Sequence, residues 1–316
     1  MTAPGSATLR LSLLGDRSLA YRDGLERWSG AERLRGSIRR RGLLEPVTVW
    51  TGGGEPRLVA GFRRIQALEE LGAVEVPARL TEAPLEELFV AAVESHAGQP
   101  ANLREVARAV RVGVGLGWTL EQAARRLLPA LALEPHPRLA GRYLGLLDLP
   151  AELLQLFVDK GFSLRRCLPF CALDPGAAGT LAALVRTGLV RGGRQLEEVA
   201  CWLVEAAARE GIMADALAGE LGLLDPGAAP ALARLEARRF PEVSRRRREL
   251  DALCSAVAGG EQARLRVSYD RNLADEELQV VLRLASPDDL DLLLPALGRS
   301  RGQLAAILAR LRGDEP

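Results

Sequence analysis

A glycine followed closely by two arginines, where an apolar strand gives way to an amphipathic helix, is the stretch of this sequence best placed to do chemistry. Leu58 to Gly72 reads LVAGFRRIQALEELG. Leu58, Val59 and Ala60 form a short apolar run, Gly61 interrupts it, and Ile65, Leu68 and Leu71 then recur at helical spacing. Gly72 is a natural stop, because glycine takes the left-handed conformation at no steric cost. Gly61 therefore opens a helix whose first N–H groups have no intrahelical partner and lie at the positive end of its dipole. Arg63 and Arg64 add two guanidiniums where acids are electrostatically preferred. The turn reads as an anion site, with a phosphate as the obvious ligand. A solvated helix face is the competing reading in a chain with 42 Lys+Arg.

The bulk numbers narrow the function classes. At 316 residues the chain predicts two or three domains. Apolar residues at 48%, charged residues at 26% and a net charge of +1 are ordinary for a globular protein. A pI near 7.7 argues against a uniformly basic DNA-binding surface and leaves room for local basic patches. Lys160 is the sole lysine, so the positive charge is nearly all arginine. Cys167 and Cys171 are four residues apart on one helical face, which fits a metal half-site or, better, small core residues. No apolar run approaches the roughly 20 residues of a membrane span, and the N-terminus has no signal pattern. The expectation is a soluble, cytoplasmic protein.

The elements that must position the turn follow in order. Residues 1–18 carry an apolar patch at Leu11, Leu13 and Leu14 that suggests a strand. Trp28 to Arg41 reads as a helix with Ser29 as N-cap, ending at Gly42. Val47 and Val49 alternate with Thr48 and Trp50 as a strand does, and Thr51 to Pro56 is a turn. After Gly72, Val74 to Leu80 reads as a short strand that Pro77 assigns to a sheet edge. Leu85 to Val93 is helical. A helix runs on from Asn102, and Thr119 with Gln122 forms a capping box for the next. Residues 180–225 are Ala- and Leu-rich helices. Arg234 to Leu250 is an arginine-rich helix containing Arg245–Arg248, either a phosphate-backbone contact or, better, a solvated face balanced by Glu236, Glu242 and Glu249. Ala263–Tyr269 and Leu278–Leu284 alternate as strands, and Ser286 to Leu290 reads as a helix start.

In this order the chain resembles the ParB family of DNA partition proteins, whose N-terminal fold is shared with sulfiredoxin. The matching residues are Ser37, Ile38, Gly42, Leu43, Leu44, Pro46, Val47, Val49, Gly61, Arg63, Arg64 and Ala67. The helical region continues the resemblance through Thr119–Ala124, Leu146–Pro150 and Gly161–Ser163, to about residue 180. The resemblance implies an α+β chain: a ParB/sulfiredoxin-like nucleotide-binding domain at 1–95, a helical domain with a helix-turn-helix at 96–225, and an Arg-rich helix with a strand-strand-helix module at 226–316. It implies CTP, with Mg²⁺, at Leu44, Pro46, Gly61, Phe62, Arg63, Arg64, Glu94 and Ser95. It also implies DNA contacts at Thr119, Arg138, Arg142 and Tyr143, a homodimer, a ParA-type ATPase partner, and nucleoid association if DNA is bound. The implied role is chromosome or plasmid partition.

Departures from the family pattern bear on the chemistry. Phe62 stands where the family has Glu, Glu45 where Gln is usual, and Ser95, Ala97 and Gly98 where it has Asn and a Gln-Arg pair. Ala97 and Gly98 offer no side-chain donor to a phosphate or an attacking water. The expectation is at most weak CTP hydrolysis. His96 is a candidate base or simply a helix-end residue. The stretch between the two helices of the DNA-reading unit holds Pro129, Pro135 and Pro137 and is longer than usual. An adaptor or regulator that keeps the fold without specific DNA binding is the alternative function. A sulfiredoxin activity is excluded, because no Cys lies in the first 166 residues.

Overall fold

The computed structural model describes residues 5–96, 98–225, 229–258, 265–270, 273, 276–283, 294–295 and 297–313. They divide into two compact units, Met1–Ala200 and Cys201–Pro316.

The first unit opens with a four-stranded mixed sheet in the order β1-β4-β2-β3. Its strands are β1 (Gly5–Arg10), β2 (Val47–Trp50), β3 (Arg57–Ala60) and β4 (Glu75–Thr81). β1 pairs antiparallel with β4, β4 parallel with β2, and β2 antiparallel with β3. Helices α1 (Ala31–Arg41), α2 (Phe62–Glu70) and α3 (Leu85–Glu94) complete this layer. Val47, Val49, Leu58, Ile65, Ala67, Val76 and Ala78 form its core with Leu11, Leu14, Leu25 and Ile38.

Three sequence expectations are corrected here. The Leu11–Leu14 patch is a 3-10 turn, with Leu11 and Leu14 buried and Leu13 exposed; the i, i+3 spacing of the two buried leucines suits that tighter helix. α1 begins at Ala31 behind Gly30, with no side-chain cap, so Ser29 is not its N-cap. β4 is an interior strand despite Pro77. β2 enters its ladder with β4 only at the Val47–Ala78 pair, one residue past Pro77. On its other side Pro77 stands opposite Thr8 in the β1–β4 pairing.

Seven helices follow within this unit or start in it: α4 (Leu103–Gly115), α5 (Leu120–Leu127), α6 (Pro137–Gly145), α7 (Ala151–Asp159), α8 (Leu164–Cys171), α9 (Pro175–Arg186) and α10 (Gly193–Glu210). Asn102 and Thr119 cap α4 and α5, each in a full capping box with Glu105 and Gln122. Val106, Ala109, Val110 and Gly113 place the buried face of α4 towards α5 and α6. A 3-10 turn, Pro129–Leu131, and an extended stretch separate α5 from α6. This is the longer connection that the prolines predict.

The second unit contains α11 (Ala214–Glu220), α12 (Ala229–Arg239), α13 (Pro241–Ala258), the antiparallel strands β5 (Leu265–Tyr269) and β6 (Leu278–Leu282), and a C-terminal helix, Arg301–Arg312. Leu250, Cys254, Val257, Ile307 and Leu311 form its core. The Arg245–Arg248 block is engaged locally. Arg245 pairs with Glu242 and Arg247 with Glu236, both at 2.6 Å. Arg246 donates to the carbonyls of Arg310 and Leu311, satisfying the end of the C-terminal helix. Residues 263–264, 271–272, 274–275 and 284–290, where the sequence suggests strand ends, a turn and a helix start, lie outside the described residues.

Gly61 is the residue on which the α/β layer closes. Its φ is +104°, and a Cβ there would lie 2.7 Å from Val47 Cγ1 and 3.1 Å from Val47 Cβ. Val47 is fully buried, so neither side can retreat. Gly61→Ala is expected to lower stability by about 2 kcal/mol or more, combining backbone strain with overpacking. The shift of the urea midpoint at unchanged slope measures it.

Candidate functional site

Gly61 ends β3 and starts α2, and no side chain caps the helix. The two arginines that follow do different work. Arg64 Nη1 donates to the Glu45 carbonyl at 2.7 Å, the Glu45 carboxylate at 2.9 Å and the Pro46 carbonyl at 3.0 Å. It pins the Leu44–Pro46 loop beside the turn. Arg63 Nε donates to the Asp23 carbonyl at 3.0 Å, and the guanidinium lies over the Trp28 ring, 4.8 Å from its centroid. Arg63 Nη2 is 3.8 Å from Glu105 Oε1, too long for a hydrogen bond. Among the described residues Arg63 therefore keeps unused donors. Burial pulls both guanidiniums below their ordinary pKa, without discharging a group whose reference value is above about 12.

Behind Arg63 lies a buried ion cluster. Asp23 Oδ1 accepts from Arg104 Nε at 2.9 Å and Arg108 Nη1 at 3.2 Å. Its Oδ2 accepts from Arg104 Nη2 at 2.7 Å and Asn102 Nδ2 at 2.8 Å. Glu105 accepts from the Asp23 N–H at 2.8 Å, from Arg22 Nη1 at 3.0 Å and, in the α4 capping box, from the Asn102 N–H at 3.1 Å. Arg22 also donates to the Gln99 and Pro100 carbonyls. The cluster thus ties the loop before α1, the Gly61 turn through Arg63, and the start of α4 together. Burial alone raises the Asp23 carboxyl; the hydrogen bonds from Arg104 and Asn102 and the charges of Arg104 and Arg108 outweigh it, and the net shift is downward.

The end of α3 faces the same cluster. His96 Nδ1 lies 2.8 Å from the Ala92 carbonyl and 3.1 Å from Tyr21 Oη. Burial lowers its pKa, the bond to Ala92 opposes this, and the charges of Arg22 and Arg63 lower it further. His96 is therefore a half-buried, largely neutral group near Arg63. Glu94 and Ser95 are exposed at the same helix end, with the Ser95 hydroxyl donating to the Ala92 carbonyl at 2.8 Å.

The structure brings Gly61, Phe62, Arg63, Arg64, Leu44 and Pro46 together, with the α3 end near Arg63. Phe62 packs against the core, so its side chain is used in packing. Leu44 is 72% exposed. Ala97 lies outside the described residues.

Of the expected DNA contacts, Arg138 and Arg142 are exposed one turn apart on α6, with no side-chain partner among the described residues. Tyr143 is only 7% exposed. It packs on the core side of α6, which corrects the expectation that its ring reaches a groove. The Thr119 hydroxyl is occupied as a cap, accepting from the Gln122 N–H at 3.2 Å. Cys167 is buried, its thiol pushed up to about 12 by burial. The described residues hold no His, Cys, Asp or Glu group suited to a metal, and no described helix is long and apolar enough to cross a membrane.

The sequence reading missed Arg22, Asp23, Trp28, Arg104 and Glu105. The Asn102-x-x-Glu105 spacing is a capping-box signal that locates one member. Nothing local marks the others.

The family comparison fits this geometry. A family model described as the ParB N-terminal domain matches residues 21–96, which enclose the Gly61 turn, Arg22, Asp23 and His96. Those residues are thus similar to a ParB N-terminal domain. A relative, the chromosome-partitioning protein Spo0J of Thermus thermophilus, is 35% identical over 125 residues, 39% of this chain and 44% of that protein. The match thus spans less than half of the relative's length. Among solved structures, the C-terminally truncated chromosome-partitioning protein ParB from Caulobacter crescentus complexed with CTP-gamma-S is 22% identical, covers 59% of this chain and 99% of its own, and has a TM-score of 0.27. The same protein complexed to the centromeric parS site gives 20%, 61%, 98% and 0.30. A Pnob8-like ParB-N domain gives 15%, 63%, 99% and 0.33.

The Asp23 cluster makes stability pH-dependent with a definite sign. The Asp23 carboxyl titrates below its ordinary 3.8 in the folded protein. Its contribution is therefore complete above that value and is lost as pH falls through the lowered folded-state value. Asp23→Asn is expected to cost about 3–5 kcal/mol at neutral pH, because Arg104 is left buried without its counter-charge. The same variant should lose part of the acid dependence, as read by denaturation midpoints from neutral pH down to about pH 3.

Proposed function

We propose that this chain is a ParB-like chromosome- or plasmid-partition protein. The ParB N-terminal domain binds CTP at the Gly61 turn, and α5 and α6 serve as a helix-turn-helix for DNA. The observation that carries the reading is Arg63: within the family-matched residues 21–96, it sits at an uncapped helix start with donors to spare. Those donors and the first N–H groups of α2 are what a polyphosphate needs. Arg64 is spent on the Glu45 and Pro46 carbonyls and acts as a positioning residue for the loop.

Hydrolysis is weak or absent in this reading. Phe62 packs into the core, Gly98 has no side chain, and His96 is held against Tyr21 and the Ala92 carbonyl. A metal such as Mg²⁺ would arrive with the nucleotide, with the exposed Glu94 carboxylate as the available ligand. Domain boundaries near 95 and 225, a homodimer through the β5–β6 module, a ParA-type ATPase partner and a nucleoid location complete the proposal. A second reading, an adaptor without specific DNA binding, draws on the long α5–α6 connection and on the burial of Tyr143, which leave Arg138 and Arg142 as the candidates on α6.

Calorimetric titration of CTP with Mg²⁺ tests the nucleotide reading. The wild type should bind, and Arg63→Ala should weaken binding by about tenfold or more, in line with one or two lost charge-assisted hydrogen bonds. Arg64→Ala should instead lower the unfolding midpoint, since it removes the donor from two backbone carbonyls. No binding by the wild type would overturn the CTP assignment and put the adaptor reading first.

A further inference from the structure

Arg104, Arg108 and Arg111 follow one another at i, i+4 and i+7, so they share one face of α4. That face lies opposite Val106, Ala109, Val110 and Gly113, which pack into the helical core. At 1.5 Å per residue the stripe runs about 10 Å along the helix. Arg27 ends the turn Leu25–Arg27, which follows Asp23, the acceptor of Arg108; its charge, with those of Arg104 and Arg111, adds to burial in lowering the Arg108 pKa.

The carboxylates nearby neutralise Arg104 and part of Arg108 but do not reach Arg27 or Arg111 among the described residues. Asp23 already accepts two hydrogen bonds on each oxygen, from Arg104, Arg108 and Asn102. Glu105 is taken by Arg22 and two backbone N–H groups. Asp159 accepts from Gln155, which in turn accepts from Arg104 Nη1 at 2.6 Å. Arg27 and Arg111 are exposed, with no side-chain partner among the described residues. The stripe thus runs from a buried, fully paired end at Arg104 to an unpaired, exposed end. A membrane surface would require apolar residues beside the cations, but the apolar face of α4 is turned into the core. A line of cations flanked by a single exposed apolar residue of α4, Val114, and no broad apolar face matches the regularly spaced charges of a nucleic-acid strand.

We propose that Arg27, Arg108 and Arg111 form a backbone-phosphate contact for duplex DNA, separate from both the Gly61 turn and the exposed arginines of α6. The contact rests on the DNA-binding half of the proposed function. It positions the duplex and carries no sequence information. Arg108 stays anchored to Asp23, while Arg27 and Arg111 supply the contacts that form and release with salt.

The test is fluorescence anisotropy of the full chain on a mixed-sequence duplex, from about 50 to 200 mM salt. The variants are Arg27→Ala/Arg111→Ala, Arg138→Ala/Arg142→Ala, and Arg194→Ala as a control at a 91% exposed arginine. Arg27→Ala/Arg111→Ala should bind several-fold more weakly, with the slope of log K against log salt shallower by about 2. Its melting temperature should match the wild type, and Arg194→Ala should change neither readout. Wild-type affinity and slope in Arg27→Ala/Arg111→Ala, while Arg138→Ala/Arg142→Ala binds poorly, would overturn this contact and leave α6 standing. Equal losses in the Arg194→Ala control would overturn it as generic charge loss. A wild type that does not bind the duplex would overturn both this contact and the DNA half of the function, with CTP binding decided by its own titration. Binding to anionic vesicles but not to DNA would overturn it in favour of a membrane surface.

Discussion

The buried ion pair between Asp23 and Arg104 is the constraint on which the first unit depends. Arg104 is 5% exposed and Asp23 7%, so each would be costly to bury alone. They tolerate burial because Asp23 is saturated: its four acceptor positions are filled by donors from Arg104, Arg108 and Asn102. A pair of this kind contributes less to net stability than to geometry, since its attraction mainly offsets desolvation. What it specifies is where α4 begins relative to the loop carrying Arg22 and Asp23. Arg63 is placed by the same loop, through the Asp23 carbonyl and the Trp28 ring. The orientation of the Arg63 guanidinium and the seating of the helical layer therefore share one set of contacts.

The Gly61 turn shows how the sheet contributes. Val47 in β2 occupies the space that any larger residue at Gly61 would need. Arg64 reaches back to the carbonyls just before that strand. The paired arginines thus divide into one that holds the loop and one that, among the described residues, keeps donors free. Phe62 fills a position at the rim of the core, trading a polar group for packing. The result is an uncapped helix start with guanidinium donors beside it and an apolar side chain at its first position.

Much of this was legible in the sequence because it is written locally. The strand-to-helix change at Gly61, the stop at Gly72 and the caps at Asn102 and Thr119 all follow from short-range rules. Pro77 misled because the rule that sends proline to sheet edges concerns the lost N–H; β2 pairs with β4 only from Ala78, one residue past Pro77. Ser29 misled because capping propensity does not say where Trp28 must go, and here Trp28 lies over Arg63. The ion cluster was hidden for a different reason: Asp23 and Arg104 are 81 residues apart, and no periodicity links them. The family resemblance implies a DNA contact at Tyr143, next to Arg142 in sequence, yet Tyr143 is buried. One residue on a helix is a turn of about 100°, and that step carries the ring from solvent into the core.

Native-state hydrogen exchange across the first unit is the most direct test of the coupling that this cluster creates. The slowest amides of the β2–β3–α2 core and of α4 should report one opening free energy in the wild type, with the same denaturant dependence. In Asp23→Asn the two sets should separate, α4 and the sheet opening with different free energies. Two distinct opening free energies already present in the wild type, unchanged in Asp23→Asn, would contradict the claim that the Asp23–Arg104 pair makes these layers one structure.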